Sequence, residues 1–249
     1  MPESYESAVA RLKTEIVASA HKMYEREFIA ATDGNISVRI GENEILITRS
    51  GICKGEMTVD DVITIDFECN VIGGSGRPSS ESMMHIAIYE EREDITSIVH
   101  GHPPTAVAFT VAGKSLAQCV IPEVVLTMGS VPTLPYTTPT TSDVPDSVRR
   151  VIRYADALML ERHGAVCVGT TVKDAYFKLE KLEHAAHITM MAHQLGRVQT
   201  LPPDEVKRLL SLRSKFDITG RNPLCNDCIV GCFEGMTEGD KEGMAPYRT

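Results

Sequence analysis

Residues 95–103 read Ile-Thr-Ser-Ile-Val-His-Gly-His-Pro, a short apolar run that ends in two histidines and a proline. The β-branched residues between Ile95 and His100 predict a strand. Because side chains along a strand alternate between its two faces, His100 and His102 project to the same side and can converge on one ion. This is the spacing of a metal-ligand pair, although an isolated histidine here is equally consistent with a hydrogen-bonded core or surface group.

A third histidine, His163, lies in a tight connection between predicted strands at 157–160 and 165–168. A histidine in such a connection can be presented toward the end of the sheet. Three protein ligands leave a coordination position open, which is the arrangement of catalytic rather than structural zinc. Glu81 sits where a loop enters a predicted helix, and it can ligate such an ion or act as a base beside it. Its interaction with the helix dipole is the simpler explanation of the same position.

The rest of the chain mixes helical and extended segments without a regular strand-helix-strand repeat. Apolar residues three and four apart predict helices, and short β-branched runs predict strands. The predicted helices cover 4–26, 81–91, 105–112, 144–154, 171–195 and 203–216, the predicted strands cover 38–40, 45–48, 62–67, 95–100, 131–136, 157–160 and 165–168, and a loop is predicted at 70–80. We therefore predict an α/β fold with a central, mostly antiparallel or mixed sheet flanked by helices, rather than a doubly wound or barrel fold.

One domain is expected, because 249 residues can build one sizeable core. Residues 1–220 form this catalytic domain, and residues 221–249 are predicted to be a tail that is poorly ordered or packs at a subunit interface. Three of the seven cysteines, Cys225, Cys228 and Cys232, lie in the tail. Their spacing fits a second metal or a labile disulfide, but no fourth ligand is evident nearby, so reduced and inert cysteines are the preferred interpretation for most of the seven.

Composition and charge narrow the range of partners. With 25 Lys and Arg against 34 Asp and Glu, the formal net charge is −9, which argues against a nucleic-acid partner. The first residues lack the basic and apolar regions of a secretory signal, and no apolar stretch approaches the length of a membrane span. A cytoplasmic location without membrane contact is expected. No glycine-rich dinucleotide or ATP motif is present.

Three small-polar loops are candidates for binding a small anion through backbone N–H groups. Such clusters are also ordinary turn sequences, so each is weak evidence alone. They are Asp33-Gly34-Asn35, Arg49-Ser50-Gly51 and Ser79-Ser80.

Taken in order, these segments resemble the class II aldolase and adducin-head superfamily, the family of L-fuculose-1-phosphate aldolase and L-ribulose-5-phosphate 4-epimerase. The resemblance extends over about residues 5 to 215. Its motifs are Gly34-Asn-Ile-Ser-Val-Arg39, Ile47-Thr-Arg-Ser-Gly51, Arg77-Pro-Ser-Ser-Glu81 with His85 in the following helix, Val99-His-Gly-His-Pro103, Arg162-His-Gly164, and the run from Val168-Gly169 through Ala175-Tyr176. The resemblance implies a three-layer sandwich of the class II aldolase type and a homotetramer.

The same resemblance implies the roles of the site residues. His100, His102 and His163 bind zinc, with Glu81 as fourth ligand of the resting site and as acid/base group. The residues that hold the phosphate of a sugar phosphate are Gly34, Asn35, Ser50, Gly51, Ser79 and Ser80. The implied reaction is reversible retro-aldol cleavage of a ketose 1-phosphate, such as L-fuculose 1-phosphate, to dihydroxyacetone phosphate and an aldehyde such as lactaldehyde.

The chain departs from the family pattern at one functional position. The family's proton-donating tyrosine aligns near Ile121, so the donor on the aldehyde side is unassigned, with Glu123 and Tyr136 as substitutes. A pentulose-phosphate 4-epimerase and a dehydratase of methylthioribulose-phosphate type remain as alternative activities. A non-enzymatic, adducin-like assembly protein is disfavoured because all three histidines and Glu81 are present.

Overall fold

The computed structural model describes residues 3–141 and 143–221, and within them the chain forms one eight-stranded sheet. The order of its strands is β4-β3-β2-β1-β5-β8-β7-β6. The strands are β1 (Asn35–Gly41), β2 (Glu44–Thr48), β3 (Val62–Ile65), β4 (Val71–Gly73), β5 (Ser97–Gly101), β6 (Thr133–Leu134), β7 (Ala157–Leu160) and β8 (Gly164–Gly169). All neighbours pair antiparallel except β6 and β7, which pair parallel, so the sheet is mixed as predicted.

Helices cover both faces of this sheet. They are α1 (Tyr5–Glu25), α2 (Ser82–Glu91), α3 (Pro104–Val111), α4 (Pro122–Thr127), α5 (Asp143–Ile152), α6 (Val172–Leu195) and α7 (Pro203–Ser211), with short 3-10 helices at Val59–Asp61 and Ser214–Phe216.

The two faces of the sheet bury separate apolar clusters. Along β8, Ala165 and Cys167 pack with α1, α3 and α6, whereas Val166 and Val168 pack with α2 and α5. This follows from the alternation of side chains along a strand, and it explains why the central strands are apolar at nearly every position. The three-layer sandwich is therefore present.

Local sequence signals account for several element boundaries. The side chain of Ser4 accepts from the N–H of Ser7 at the start of α1. At the start of α6, the side chain of Thr171 accepts from the N–H of Asp174, as the spacing of these two residues predicted. Side-chain caps of this kind satisfy N–H groups that have no partner within the helix.

Two of the predicted elements were wrong in detail, and one helix was missed. The segment predicted as a loop at 70–80 contains β4, a three-residue strand that pairs with β3. Its Val71 and Ile72 are exposed at the sheet edge, so the segment has no buried face to create a periodic pattern. The strand predicted at 131–136 shrinks to Thr133–Leu134, and the short helix α4 was not predicted.

Four of the seven cysteines lie within the described residues. Cys53, Cys69 and Cys167 are free thiols as expected, whereas Cys119 is disulfide-bonded. The predictions for Cys225, Cys228 and Cys232 lie outside the described residues. No helix within 3–141 and 143–221 combines the length and the apolar character needed to cross a membrane.

Candidate active site

Three histidine side chains meet at the ends of neighbouring central strands. His100 lies in β5, His102 follows that strand, and His163 lies in the turn between β7 and β8. One potential ligand nitrogen from each ring lies within 4.8 Å of those from the other two. The ring centroids are 4.9 to 5.2 Å apart. The three residues proposed from the sequence as metal ligands are therefore brought together.

Gly164 leaves the space in which two of these rings converge. A Cβ atom at this position would lie 2.5 Å from the carbonyl oxygen of Gly101, 2.7 Å from Cδ2 of His102 and 2.9 Å from Cε1 of His100. These separations are shorter than van der Waals contact. Any larger residue at 164 would therefore displace the backbone of β5 or the rings themselves.

A tight turn presents the third imidazole. The N–H of His163 donates to the carbonyl of Leu160 at 3.1 Å, and Arg162 adopts a φ of 58°, in the left-handed region. The chain reverses there and enters β8 at Gly164. As a result Nε2 of His163 lies 3.0 Å from a carboxylate oxygen of Glu81.

Hydrogen bonding and burial prepare His100 and His102 for a metal ion. Nδ1 of His100 lies 2.9 Å from the carbonyl oxygen of Ala165. Because a carbonyl oxygen only accepts, Nδ1 carries a proton, so Nε2 is the atom of His100 that a metal ion would bind. Nε2 of His102 lies 3.2 Å from that atom. Burial opposes a charged ring, but the neighbouring carboxylate of Glu81 raises the pKa of His100. Burial, together with positive charge at His100 and His163, lowers the pKa of His102 to about 3, so its imidazole is neutral at pH 7.

Glu81 lies at the N-cap of α2, where the sequence predicted a loop entering a helix. Its Oε2 is 3.1 Å from Nε2 of His100, and its Oε1 is 3.0 Å from Nε2 of His163. Burial opposes the negative charge, but the two imidazoles hold the pKa of Glu81 well below its usual range. A carboxylate in this place can ligate the same ion as the histidines or move a proton beside it.

The three candidate anion loops come together beside Glu81. The side-chain nitrogen of Asn35 donates to Oγ of Ser79 at 3.0 Å. The same Oγ accepts from the N–H of Glu81 at 3.3 Å. The N–H of Ser50 donates to the carbonyl of Arg77 at 2.9 Å. Segments that lie far apart in the sequence thus form one surface next to the histidines.

Two glycines in these loops have different surroundings. Gly34 and Gly51 both adopt a positive φ, 69° and 78°. A Cβ at Gly34 would lie 2.5 Å from Ile29 and 2.9 Å from the carbonyl oxygen of His100, so this loop packs directly on β5. A Cβ at Gly51 would meet nothing within 4 Å, so this loop faces open space. Ser80 is exposed and lines a cavity together with Glu81.

A buried lysine that the sequence did not single out joins two of the loops. Nζ of Lys54 donates to the carbonyl of Thr32 at 3.1 Å and to the carbonyl of Ile52 at 3.0 Å. Burial lowers the pKa of Lys54. A lysine next to a glycine-containing turn is normally exposed, so no sequence signal marked it as buried.

Glu183 is a second charged residue that sequence reasoning missed. Its carboxylate accepts from the N–H groups of Thr105 and Ala106, both at 2.9 Å, in the first turn of α3. This helix begins directly after the histidine pair, so Glu183 fixes the path of the chain there. A signal existed, because Glu183 interrupts an apolar helical stripe that includes Leu179 and Ala186.

The donor set fits a divalent metal ion. Three imidazoles and one carboxylate are the nitrogen and oxygen ligands that zinc prefers. Nε2 of His100 faces both His102 and Glu81, and the lowered pKa of His102 keeps that ring in the neutral form that binds a metal. These residues would hold such an ion between β5, the β7–β8 turn and α2.

Comparison with known proteins agrees with this geometry. The model of the family described as Class II Aldolase and Adducin N-terminal domain matches residues 14–190. The chain belongs to this family. It is therefore an enzyme of the aldolase type, a lyase, and the metal-dependence of class II aldolases agrees with the histidine cluster.

Relatives of the chain carry more than one activity. An L-fuculose phosphate aldolase of Methanococcus maripaludis is 31% identical over 73% of this chain and 98% of its own length. A 5-deoxy-D-ribulose 1-phosphate aldolase of Bacillus thuringiensis is 31% identical, covering 84% of this chain and 97% of the relative. A 3-oxo-tetronate 4-phosphate decarboxylase of Haemophilus influenzae is 28% identical, with coverage of 78% and 93%.

A solved L-fuculose 1-phosphate aldolase superposes with a TM-score of 0.75 at 27% identity, and the match covers 83% of this chain and 96% of that one. The predicted family and fold are therefore confirmed.

Proposed function

We propose that the chain catalyses the zinc-dependent, reversible retro-aldol cleavage of a ketose 1-phosphate to dihydroxyacetone phosphate and an aldehyde. L-Fuculose 1-phosphate, which yields lactaldehyde, is the reference substrate. One observation carries the proposal, namely the contact of a single carboxylate, Glu81, with two of three converging histidines. The relative named 5-deoxy-D-ribulose 1-phosphate aldolase and the solved structure named L-fuculose 1-phosphate aldolase support the substrate class.

The proposed metal ligands are His100, His102, His163 and Glu81. Zinc is the proposed ion because three imidazole ligands with an open position are typical of catalytic zinc. Bound there, the ion would supply Lewis-acid stabilisation of the negative charge that develops on the substrate oxygens, an effect of roughly several kcal/mol.

In this proposal Glu81 moves the proton to and from the dihydroxyacetone-phosphate carbon. It is half-buried and held by neighbours on several sides, and its lowered pKa keeps it ionised, which is the form that a base must have. The two imidazoles at its oxygens orient it in the absence of substrate.

The proposed phosphate pocket is the surface formed by the three loops. Its residues are Gly34, Asn35, Ser50, Gly51, Ser79 and Ser80. Backbone N–H groups in small-residue loops and at a helix start suit an anion because small side chains leave room for it to approach. The open space at Gly51 is the side from which a phosphate would approach.

The proton donor on the aldehyde side is predicted to be either Glu123 or Tyr136. Glu123 lies in the first turn of α4, and Tyr136 is more than half exposed. The proposal also includes a homotetramer, as the resemblance implies, and a cytoplasmic location. Light scattering after size-exclusion chromatography measures the assembly directly.

A second candidate reaction is decarboxylation of a 3-oxo acid phosphate. The Haemophilus influenzae relative is named for this reaction, and the same residues would stabilise the same kind of charge when carbon dioxide leaves in place of an aldehyde. The 4-epimerase and dehydratase reactions remain further alternatives.

A substrate screen separates these reactions. The zinc-loaded chain is incubated with ketose 1-phosphates, and in the reverse direction with dihydroxyacetone phosphate and several aldehydes, and products are identified by mass. Formation of dihydroxyacetone phosphate from a ketose 1-phosphate is the expected result. Carbon dioxide from a 3-oxo acid phosphate, with no cleavage of any ketose phosphate, would replace the aldolase proposal by the decarboxylase.

A further inference from the structure

A row of polar side chains joins β1 to α2 behind Glu81. Asn35 and Ser37 are two residues apart in β1 and share one face of the sheet. Glu81, His85 and Tyr89 are four residues apart along α2 and share one face of the helix. The two sets interleave within an otherwise apolar layer.

The contacts form an unbroken chain. Nδ2 of Asn35 donates to Oε2 of Glu81 at 2.8 Å, and Oδ1 of Asn35 lies 2.5 Å from Nε2 of His85. Nδ1 of His85 lies 2.6 Å from Oγ of Ser37. That oxygen lies 2.9 Å from the hydroxyl of Tyr89. His85 and Ser37 are fully buried, so water does not compete for these bonds.

The chemistry of the groups fixes the direction of these bonds. An ionised Glu81 only accepts, so Asn35 must turn its NH₂ group toward it and its carbonyl oxygen toward His85. His85 must then carry its proton on Nε2. With that proton on Nε2, Nδ1 of the ring accepts from the hydroxyl of Ser37. Successive dipoles therefore point toward the carboxylate, an arrangement in which each bond strengthens the next.

The far end of α2 is held to the same strand. The guanidinium of Arg39, two residues beyond Ser37, donates to the carbonyls of Tyr89, Arg92 and Ile95 at 2.7 to 3.1 Å. This anchors the C-terminal end of the helix to β1. The register between β1 and α2 is therefore set at both ends.

We infer that His85 is a positioning residue for Glu81: by donating from Nε2 to Asn35, it keeps the amide of Asn35 turned so that its NH₂ group holds the Glu81 carboxylate in place. The inference rests on the proposed role of Glu81 in proton transfer. It also assigns the side chain of Asn35 a task besides phosphate binding, since that side chain already contacts Glu81, Ser79 and His85.

Two variants separate this role from simple packing. In His85→Gln the side-chain amide reaches the place of Nε2 and can donate to Asn35. In His85→Asn the amide falls near the place of Nδ1, so the donor to Asn35 is lost. Both variants bury a neutral amide in the same space, which makes them a matched pair for stability.

Kinetics on zinc-loaded proteins of equal metal content test the inference. His85→Asn should lower kcat about 10- to 100-fold with KM unchanged, as for other residues that orient a group in contact with a metal ion. His85→Gln should keep kcat near the wild-type value. Equal kcat values for the two variants, or a loss of His85→Asn activity that appears in KM or zinc content instead, would overturn it.

A spectroscopic measurement is independent of turnover. Nitrogen-15 NMR of the imidazoles in the wild-type protein should show His85 neutral and protonated on Nε2. A proton on Nδ1, or a charged ring, overturns the inference whatever the protein cleaves. The expected tautomer in a protein that cleaves no ketose phosphate would instead count against the proposed function alone.

Discussion

Replacing Gly164 by alanine tests whether the space at this position holds the histidine cluster together. Gly164 does not have a positive φ, so the added methyl group acts by contact and not by backbone strain. To reach ordinary contact at 3.4 Å, the carbonyl of Gly101 and the rings of His102 and His100 must retreat by about 0.5 to 0.9 Å. Metal–ligand distances tolerate only about 0.2 Å.

The expected result has two parts. Overpacking of this kind costs about 1–3 kcal/mol, which at about 2–4 °C per kcal/mol for a chain of this size lowers Tm by several degrees. Displacement of two rings should weaken zinc binding about 10- to 100-fold. Competition with a chromophoric chelator measures the zinc affinity, and thermal unfolding of the metal-free protein measures Tm.

Gly41→Ala is the matched control, because Gly41 also lies in a strand without a positive φ and its added Cβ would make only contacts of 3.5 Å or longer. This control should bind zinc as the wild type does. Wild-type zinc affinity in Gly164→Ala as well would show that the close approach seen here does not constrain the rings.

Other perturbations reach the catalytic group, the core and a buried thiol. Glu81→Gln should lower turnover at least 10²- to 10⁴-fold with an unchanged circular-dichroism spectrum, and undiminished kcat would rule out Glu81 as the base. Arg92→Met should lower the free energy of unfolding in urea by about 3–5 kcal/mol, because Arg92 is 1% exposed and pairs with buried Asp156. The surface control Arg11→Met should change the free energy of unfolding little. Burial raises the pKa of Cys167 to about 12, so this thiol should resist iodoacetamide at pH 8 in the folded protein and react only on unfolding. Half-buried Cys53 should react before it, and peptide mapping can show the order.

Much of the site follows from short-range patterns in the sequence. The pair His100 and His102 could be proposed because residues two apart in a strand share a face. For Glu81, the loop that leads into a helix predicted its position, whereas its role was implied by the resemblance to the family. Both patterns operate within a few residues and do not depend on the rest of the fold. The antiparallel character of the sheet was predictable for a similar reason, since the strands were not separated by regular helices.

The partners across elements could not be predicted in the same way. Spacing along α2 shows that His85 and Tyr89 share a face, but not that β1 supplies Asn35 and Ser37 opposite them. That choice depends on how β1 and α2 pack, which involves residues about 50 positions apart. The burial of Lys54 likewise depends on carbonyl groups that only the folded loop brings to it.

Because β5 lies between β1 and β8 in the middle of the sheet, the parts of the site differ in their free energy of local unfolding. Strands in the middle of a sheet open only when the whole molecule unfolds, so amide hydrogens near His100 should exchange with solvent at the slowest rate in the protein. The segment that leads to Glu81 instead follows the short edge strand β4, which can detach at much lower free energy. Brief fraying at that edge would loosen the loop that carries Ser79 and Ser80 while Glu81 and the imidazoles keep their arrangement, so heat would weaken binding in the proposed phosphate pocket before it released the ion.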